Sequence, residues 1–169
     1  MIVYWLLFFV LPALLVAAAM WDIASFTIPN FIPVALLAGF ALLLIVHPMS
    51  ASAFGVHLLA GFIGLAVGFT LFALGYIGGG DAKLFAGVAL WFGLHDLLLY
   101  TLVASVFGGA LTLSILAMRR VPLPAPLAAQ GWLLRLHDDR EGIPYGVALA
   151  AGAFFVLPQT EIFRAAFGG

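Results

Sequence analysis

Residues 56–83 read VHLLAGFIGLAVGFTLFALGYI followed by GGGDAK, twenty-two uncharged and mostly apolar positions closed by three glycines and an acid. An α-helix rises about 1.5 Å per residue, so roughly 20 such positions cross the hydrocarbon of a bilayer. The run has that length, and the pattern recurs along the chain. Of 169 residues, 66% are hydrophobic and 8% charged, against roughly half and a quarter in an average soluble domain. The charges cluster between long uncharged runs, which is how membrane spans are punctuated. A water-soluble fold of this size cannot hide so much apolar surface, so the chain is expected to be an all-α, polytopic integral membrane protein. With six Lys or Arg against seven Asp or Glu, no basic patch points to nucleic acid as a partner. The absence of cysteine excludes disulfides and thiolate metal sites.

Apolar runs between charges, turns and prolines predict six transmembrane helices, at 3–21, 30–46, 56–77, 82–93, 97–118 and 143–160. The first has no Lys or Arg ahead of its apolar run and is therefore taken as a span, not a cleaved signal. The fourth is short. Lys83 to Met118 offers 36 residues, whereas two full spans and a turn need slightly more than about 40. The turn is placed at Gly93-Leu94-His95-Asp96, with Asp96 expected to cap the next helix. Arg119, Arg120, Arg135 and Arg140 share one loop, about 119–142, and arginine-rich short loops stay in the cytoplasm. Alternating backwards from that loop puts Asp22 and Asp81 on the same, cytoplasmic face.

Glycines at 61, 64, 68 and 75 on the third span are expected to let helices approach closely. Tyr4, Trp5, Trp91 and Phe92 lie near span ends and are expected at the membrane interface, as are His47 and His57. Pro122, Pro124 and Pro126 open the long loop, and Gly131 to Leu136 predicts a short helix on the membrane surface.

Ionisable side chains beside membrane spans are functional candidates because they are costly there. Asp138, Asp139 and Glu141 belong to the hydrophilic loop, Glu161 to the C-terminal end and Asp96 to the turn. Asp22 and Asp81 remain, each bordering a long apolar segment. Gly78, Gly79 and Gly80 ahead of Asp81 permit unusual backbone angles and close approach of another backbone. A turn whose Asp caps the following helix is the plain alternative. Two carboxylates on one face can share a proton, one staying protonated while the other draws a proton from water. Such a pair hydrolyses a peptide bond without metal or nucleophilic side chain, so no cofactor is expected. No Gly-x-Ser-x-Gly elbow or His-Glu-x-x-His helix competes with it.

Gly78-Gly79-Gly80-Asp81-Ala82-Lys83-Leu84 resembles the extended Gly-x-Gly-Asp signature of the type IV prepilin leader peptidases. Asp22 followed by Ile28-Pro29-Asn30 is similar to the first aspartate of that family, and Ile143-Pro144-Tyr145-Gly146 is a third match. The resemblance covers essentially the whole chain. It implies that Asp22 and Asp81 are the catalytic aspartates of an intramembrane aspartyl endopeptidase in the bacterial cytoplasmic membrane. The substrate implied is a type IV prepilin or pilin-like precursor, cut between a short basic leader and its apolar helix. The family commonly has Arg or Lys between the first aspartate and Ile-Pro-Asn, where Ala24-Ser25-Phe26-Thr27 is uncharged. Without cysteines or the N-terminal methyltransferase domain of bifunctional members, the chain resembles the small, peptidase-only branch serving tight-adherence (Flp-type) pili, one membrane-embedded domain over 1–169. Gly78, Gly79, Gly80, Lys83, Pro29, Asn30 and Pro144 are expected to support the site. Lys83 stands about 200° around a helix from Asp81 and is expected to reach towards headgroups instead of pairing with it. Pro29 and Pro144 are expected to open helices. Two other classes remain open on sequence: a small ion- or proton-coupled transporter using the two aspartates, and a non-catalytic assembly subunit.

Overall fold

The structure, a computed structural model, describes residues 2–124, 126 and 129–167, and the side chains of 9–124, 126 and 129–164 among them. Tyr4 and Trp5, expected at the interface, lie outside the described side chains. The described elements are helical: α1 Ile2–Ser25, α2 Phe31–Val46, α3 Ala51–Ala73, α4 Gly79–Arg119, α5 Gly131–His137, α6 Tyr145–Val156, a 3-10 turn Leu157–Gln159, and α7 Glu161–Phe167. By length and composition α3 and α4 can each cross a membrane, and the apolar stretches Phe9–Ser25, Phe31–Val46 and Tyr145–Gln159 are shorter.

What the sequence presents as two helices and a four-residue turn is one element broken at a single residue. Gly93 has φ 73° and ψ 177°, a conformation open in practice only to glycine. Beyond it the chain runs back along itself. Tyr100 stacks on Phe85 and meets Phe92 edge-on, each with ring centroids 5.3 Å apart, and Thr112 Oγ1 reaches within 3.3 Å of the Tyr145 hydroxyl. His95 is exposed, while Asp96 is buried three residues past the break with its Oδ2 unpartnered. The reversal therefore rests on the glycine, and the expected cap is not made through that oxygen.

The break also relocates two residues assigned to the interface. A helix interrupted at Gly93 leaves carbonyls on its first half without their usual N–H donors. His57 Nδ1 lies 2.8 Å from the Leu90 carbonyl oxygen and donates to it, and the ring packs on Gly93, where a Cβ would stand 3.1 Å from His57 Cε1. His57 is consequently buried. Its helix starts five residues earlier than expected because Ser50 Oγ accepts the Ala53 N–H at 3.2 Å. Trp91 and Phe92 are core residues too, and Trp91 Nε1 donates to the Leu36 carbonyl at 2.9 Å. His47, at the end of α2, is exposed as expected.

Small residues set the spacing of α3 against the first half of α4. A Cβ on Gly64 would stand 2.7 Å from Ala89 Cβ, and one on Gly68 would stand 2.9 Å from both Cα and O of Ala82. Gly61 faces Leu90 in the same way, with 3.3 Å to its Cβ. Gly75 has a different task. With φ +78° it ends α3, where the Tyr76 N–H returns to the Leu71 carbonyl and the Gly75 N–H to that of Phe72, both at 2.9 Å, a Schellman ending. Gly68→Val is expected to destabilise the protein by about 1–3 kcal/mol through overpacking, and Gly55→Ala, with nothing within 4 Å of the new methyl, to leave stability unchanged. The midpoint for loss of helical circular dichroism on heating in detergent measures both.

Candidate active site

Asp22 lies near the end of α1 and Asp81 in the first turn of α4, yet they are only 3% and 6% exposed. Buried carboxylates require hydrogen-bond donors. Asp81 obtains one locally, because its Oδ2 reaches back to the Gly78 N–H at 2.9 Å. That is the helix-capping geometry foreseen as the plain alternative, and it engages one oxygen only. Oδ1 of Asp81 is buried with no hydrogen-bond partner.

Asp22 obtains its donor from far along the chain. The Gly146 N–H donates to Asp22 Oδ2 at 2.7 Å. Gly146 is the second residue of α6, whose first N–H groups have no partner inside the helix and carry the positive end of its dipole. The second acid is brought to the same end of the bundle, because Ile28 packs against both Gly146 and Gly80, the neighbour of Asp81. Segments 59 positions apart in sequence are thus gathered at the start of α6.

Ile28 wedges the three segments together. A Cβ on Gly80 would stand 2.9 Å from Ile28 Cβ and 3.2 Å from its N and O, and one on Gly146 would stand 2.7 Å from Ile28 Cδ1 and 2.8 Å from Asp22 Oδ2. The backbone admitted by Gly80 is therefore the chain's own. None of Gly78, Gly79 and Gly80 has a positive φ, so close packing, not unusual backbone angles, accounts for Gly80. Gly78 supplies its N–H, and Gly79 packs beside the Phe72 ring, 3.5 Å from a would-be Cβ.

The remaining expected residues hold the frame. Lys83 Nζ donates to Asn30 Oδ1 at 2.8 Å, tying the start of α2 to the start of α4. Its ammonium is thus turned away from Asp81 as expected, but it is held by an amide within the protein. Pro29 precedes Asn30, which stands at the N-cap position of α2, and Pro144 stands at that of α6, neither with a side-chain capping bond; neither proline occupies the first helical position. Residues missed on sequence are Gly146 and Ile28. Both stood inside quoted motifs, where the adjacent prolines drew the assignment.

The long loop folds over this end of the bundle. Arg119 donates to the carbonyls of Leu136 at 2.9 Å, Glu141 at 3.1 Å and Gly142 at 3.2 Å. Arg135, on the predicted helix α5, pairs with Glu141 at 3.1 Å, reaches the Ser25 carbonyl at 3.4 Å and lies 5.2 Å from the centre of the Phe26 ring. A guanidinium from the loop thus sits beside the uncharged segment that follows Asp22.

A family model described as the type IV leader peptidase family matches residues 9–113, a stretch that holds both aspartates and ends before Gly146. The chain is 30% identical over 151 residues to the prepilin leader peptidase/N-methyltransferase of Bacillus subtilis (strain 168), covering 83% of this chain and 58% of that protein. It spans little more than half the length of that relative. No solved structure gives a significant match.

A methyl group at 146 has no room beside Asp22 and Ile28, so Gly146→Ala is expected to cost about 1–3 kcal/mol of stability. Gly142→Ala, with open space around the new carbon, should change stability by less than about 0.5 kcal/mol. Thermal unfolding in detergent, followed by tryptophan fluorescence, distinguishes the two.

Proposed function

This chain belongs to the type IV leader peptidase family, and from that premise we propose that it is an intramembrane aspartyl endopeptidase that removes the leader from type IV prepilins or pilin-like precursors. The observation carrying this proposal is that the Gly146 N–H binds Asp22 while Ile28 packs between Gly146 and the Gly80 that precedes Asp81, which gathers both buried acids at one end of the bundle.

Two like charges so placed cannot both ionise easily, so the pair holds one proton between its carboxyls. The ionised member takes a proton from water as the water oxygen bonds to the scissile carbonyl carbon, and the protonated member gives its proton to the carbonyl oxygen. Collapse of the tetrahedral intermediate breaks the C–N bond. The proton gained from water passes to the leaving amine, the carbonyl-derived hydroxyl returns its own, and the pair regains its starting state. The Gly78 and Gly146 N–H groups each fix one carboxylate oxygen, and the unpartnered Asp81 Oδ1 is the oxygen offered to water. Gly80 and Ile28 set the separation of the segments, and Asn30, Lys83 and Pro144 keep the helix starts in place.

In the proposed topology α1, α2, α3, the two halves of α4 and α6 are six spans, with the short first half of α4 as the fourth. Arg119 and Arg135 hold the loop at the end of the bundle that carries the pair, and arginine-rich loops are cytoplasmic. The leader is accordingly cut at the cytoplasmic face of the bacterial inner membrane. Within that substrate class the proposal extends to Flp-type prepilins. A transporter is not favoured, because a conduction path needs polar groups at several depths and both acids lie at one end.

Co-expression with an epitope-tagged prepilin tests the pair. Asp22→Asn and Asp81→Asn should each lower cleavage by roughly 10²- to 10⁴-fold while the enzyme still inserts at wild-type level. Normal processing by either variant would remove that residue from the chemistry. A wild type that leaves prepilins intact but carries pH-dependent flux in vesicles would support the transporter instead.

A further inference from the structure

An apolar groove of about 510 Å³ lies between α3, the two halves of α4 and α6. Its floor is the second half of α4, where Thr101, Ala104, Ser105, Gly108, Gly109 and Thr112 recur at helical spacing. Small side chains in that pattern let another helix come close. Their hydroxyls are already used: Thr101 Oγ1 donates to the Leu97 carbonyl at 2.7 Å, Ser105 Oγ to that of Thr101 at 2.7 Å, and Thr112 Oγ1 to that of Gly108 at 2.8 Å. The floor therefore offers an apolar face. At Gly109 a Cβ would meet nothing within 4 Å, so the fold itself makes no demand for that glycine. Tyr76 and Leu113 on the rim are 66% and 70% exposed.

The groove reaches residues that neighbour the aspartates and their donors. Phe85 lines it and follows Asp81 by one helical turn, Ile77 lines it and precedes the Gly78 that binds Asp81, and Tyr145 lines it and precedes the Gly146 that binds Asp22. A second cavity, of about 410 Å³, lies against α2 with Lys83 and Asn30 in its wall. Those two are bonded to each other, and none of the residues lining that cavity adjoins a donor to either carboxylate.

We propose that the groove floored by Ser105 and Gly109 seats the apolar helix of the substrate, holding its first turns after the scissile bond so that the preceding peptide bond reaches Asp22 and Asp81. This rests on the peptidase function proposed above. An apolar helix is the occupant because the groove is apolar, lined by the residues next to the donors of both carboxylates, and shaped by small residues. The side chains just after the cut are the ones it selects.

The natural absence of cysteine makes the test clean. Ser105→Cys in an Asp81→Asn background, and separately Val34→Cys in the second cavity, are paired with a prepilin carrying one cysteine in the first turn of its apolar helix. Oxidative crosslinking should occur through position 105 and not 34; crosslinking through 34, or equally through both, overturns the proposal. Gly109→Leu puts a side chain into the groove from a position where an added Cβ meets nothing within 4 Å. It should raise KM for intact prepilin by about tenfold or more. Unchanged KM in an enzyme that still cuts prepilin overturns the groove alone, whereas a wild type that cuts no prepilin overturns the peptidase proposal and the groove with it.

Discussion

An α-helix begins with N–H groups that have no partner inside it, and in so apolar a chain those groups must be met by something polar. The start of α6 is met by a carboxylate. The Gly146 N–H donates to Asp22 Oδ2, and Ile28 packs Gly146 against the Gly80 that precedes Asp81. The need is mutual, because a buried carboxylate requires hydrogen-bond donors. Much of the fold serves this meeting: the reversal at Gly93, the close approach at Gly80 and Gly146, and the Lys83 to Asn30 bond that joins the starts of α2 and α4.

The sequence made the helical character legible, because uncharged runs of span length admit few other structures. It also singled out Asp22 and Asp81, through their place beside those runs and through motif resemblance. Their proximity was not legible, since it depends on α6 returning to deliver Gly146 between segments 59 positions apart. Ile28 was hidden for a related reason. An isoleucine beside a proline looks like any other core residue until two glycines from other segments are found packed around it.

Where expectations failed, tertiary context had overridden a local rule. Trp91 and His57 have the polar atoms that usually place such residues at an interface, but each atom is spent on a backbone carbonyl inside the bundle. The glycines ahead of Asp81 looked open to the approach of another backbone, and at Gly80 that backbone is the chain's own, at Ile28. By contrast, Gly64 and Gly68 behave as expected because their role depends only on one neighbouring helix face.

Asp22 and Asp81 are held to act as one acid–base unit sharing a proton. The most direct test is kcat/KM for prepilin cleavage as a function of pH, with the full chain in proteoliposomes. A bell-shaped profile is expected, one limb for loss of the essential carboxylate and one for loss of the essential proton, its two apparent values belonging to the pair. A flat profile, or one with a single limb across the range in which the enzyme stays folded, would contradict it.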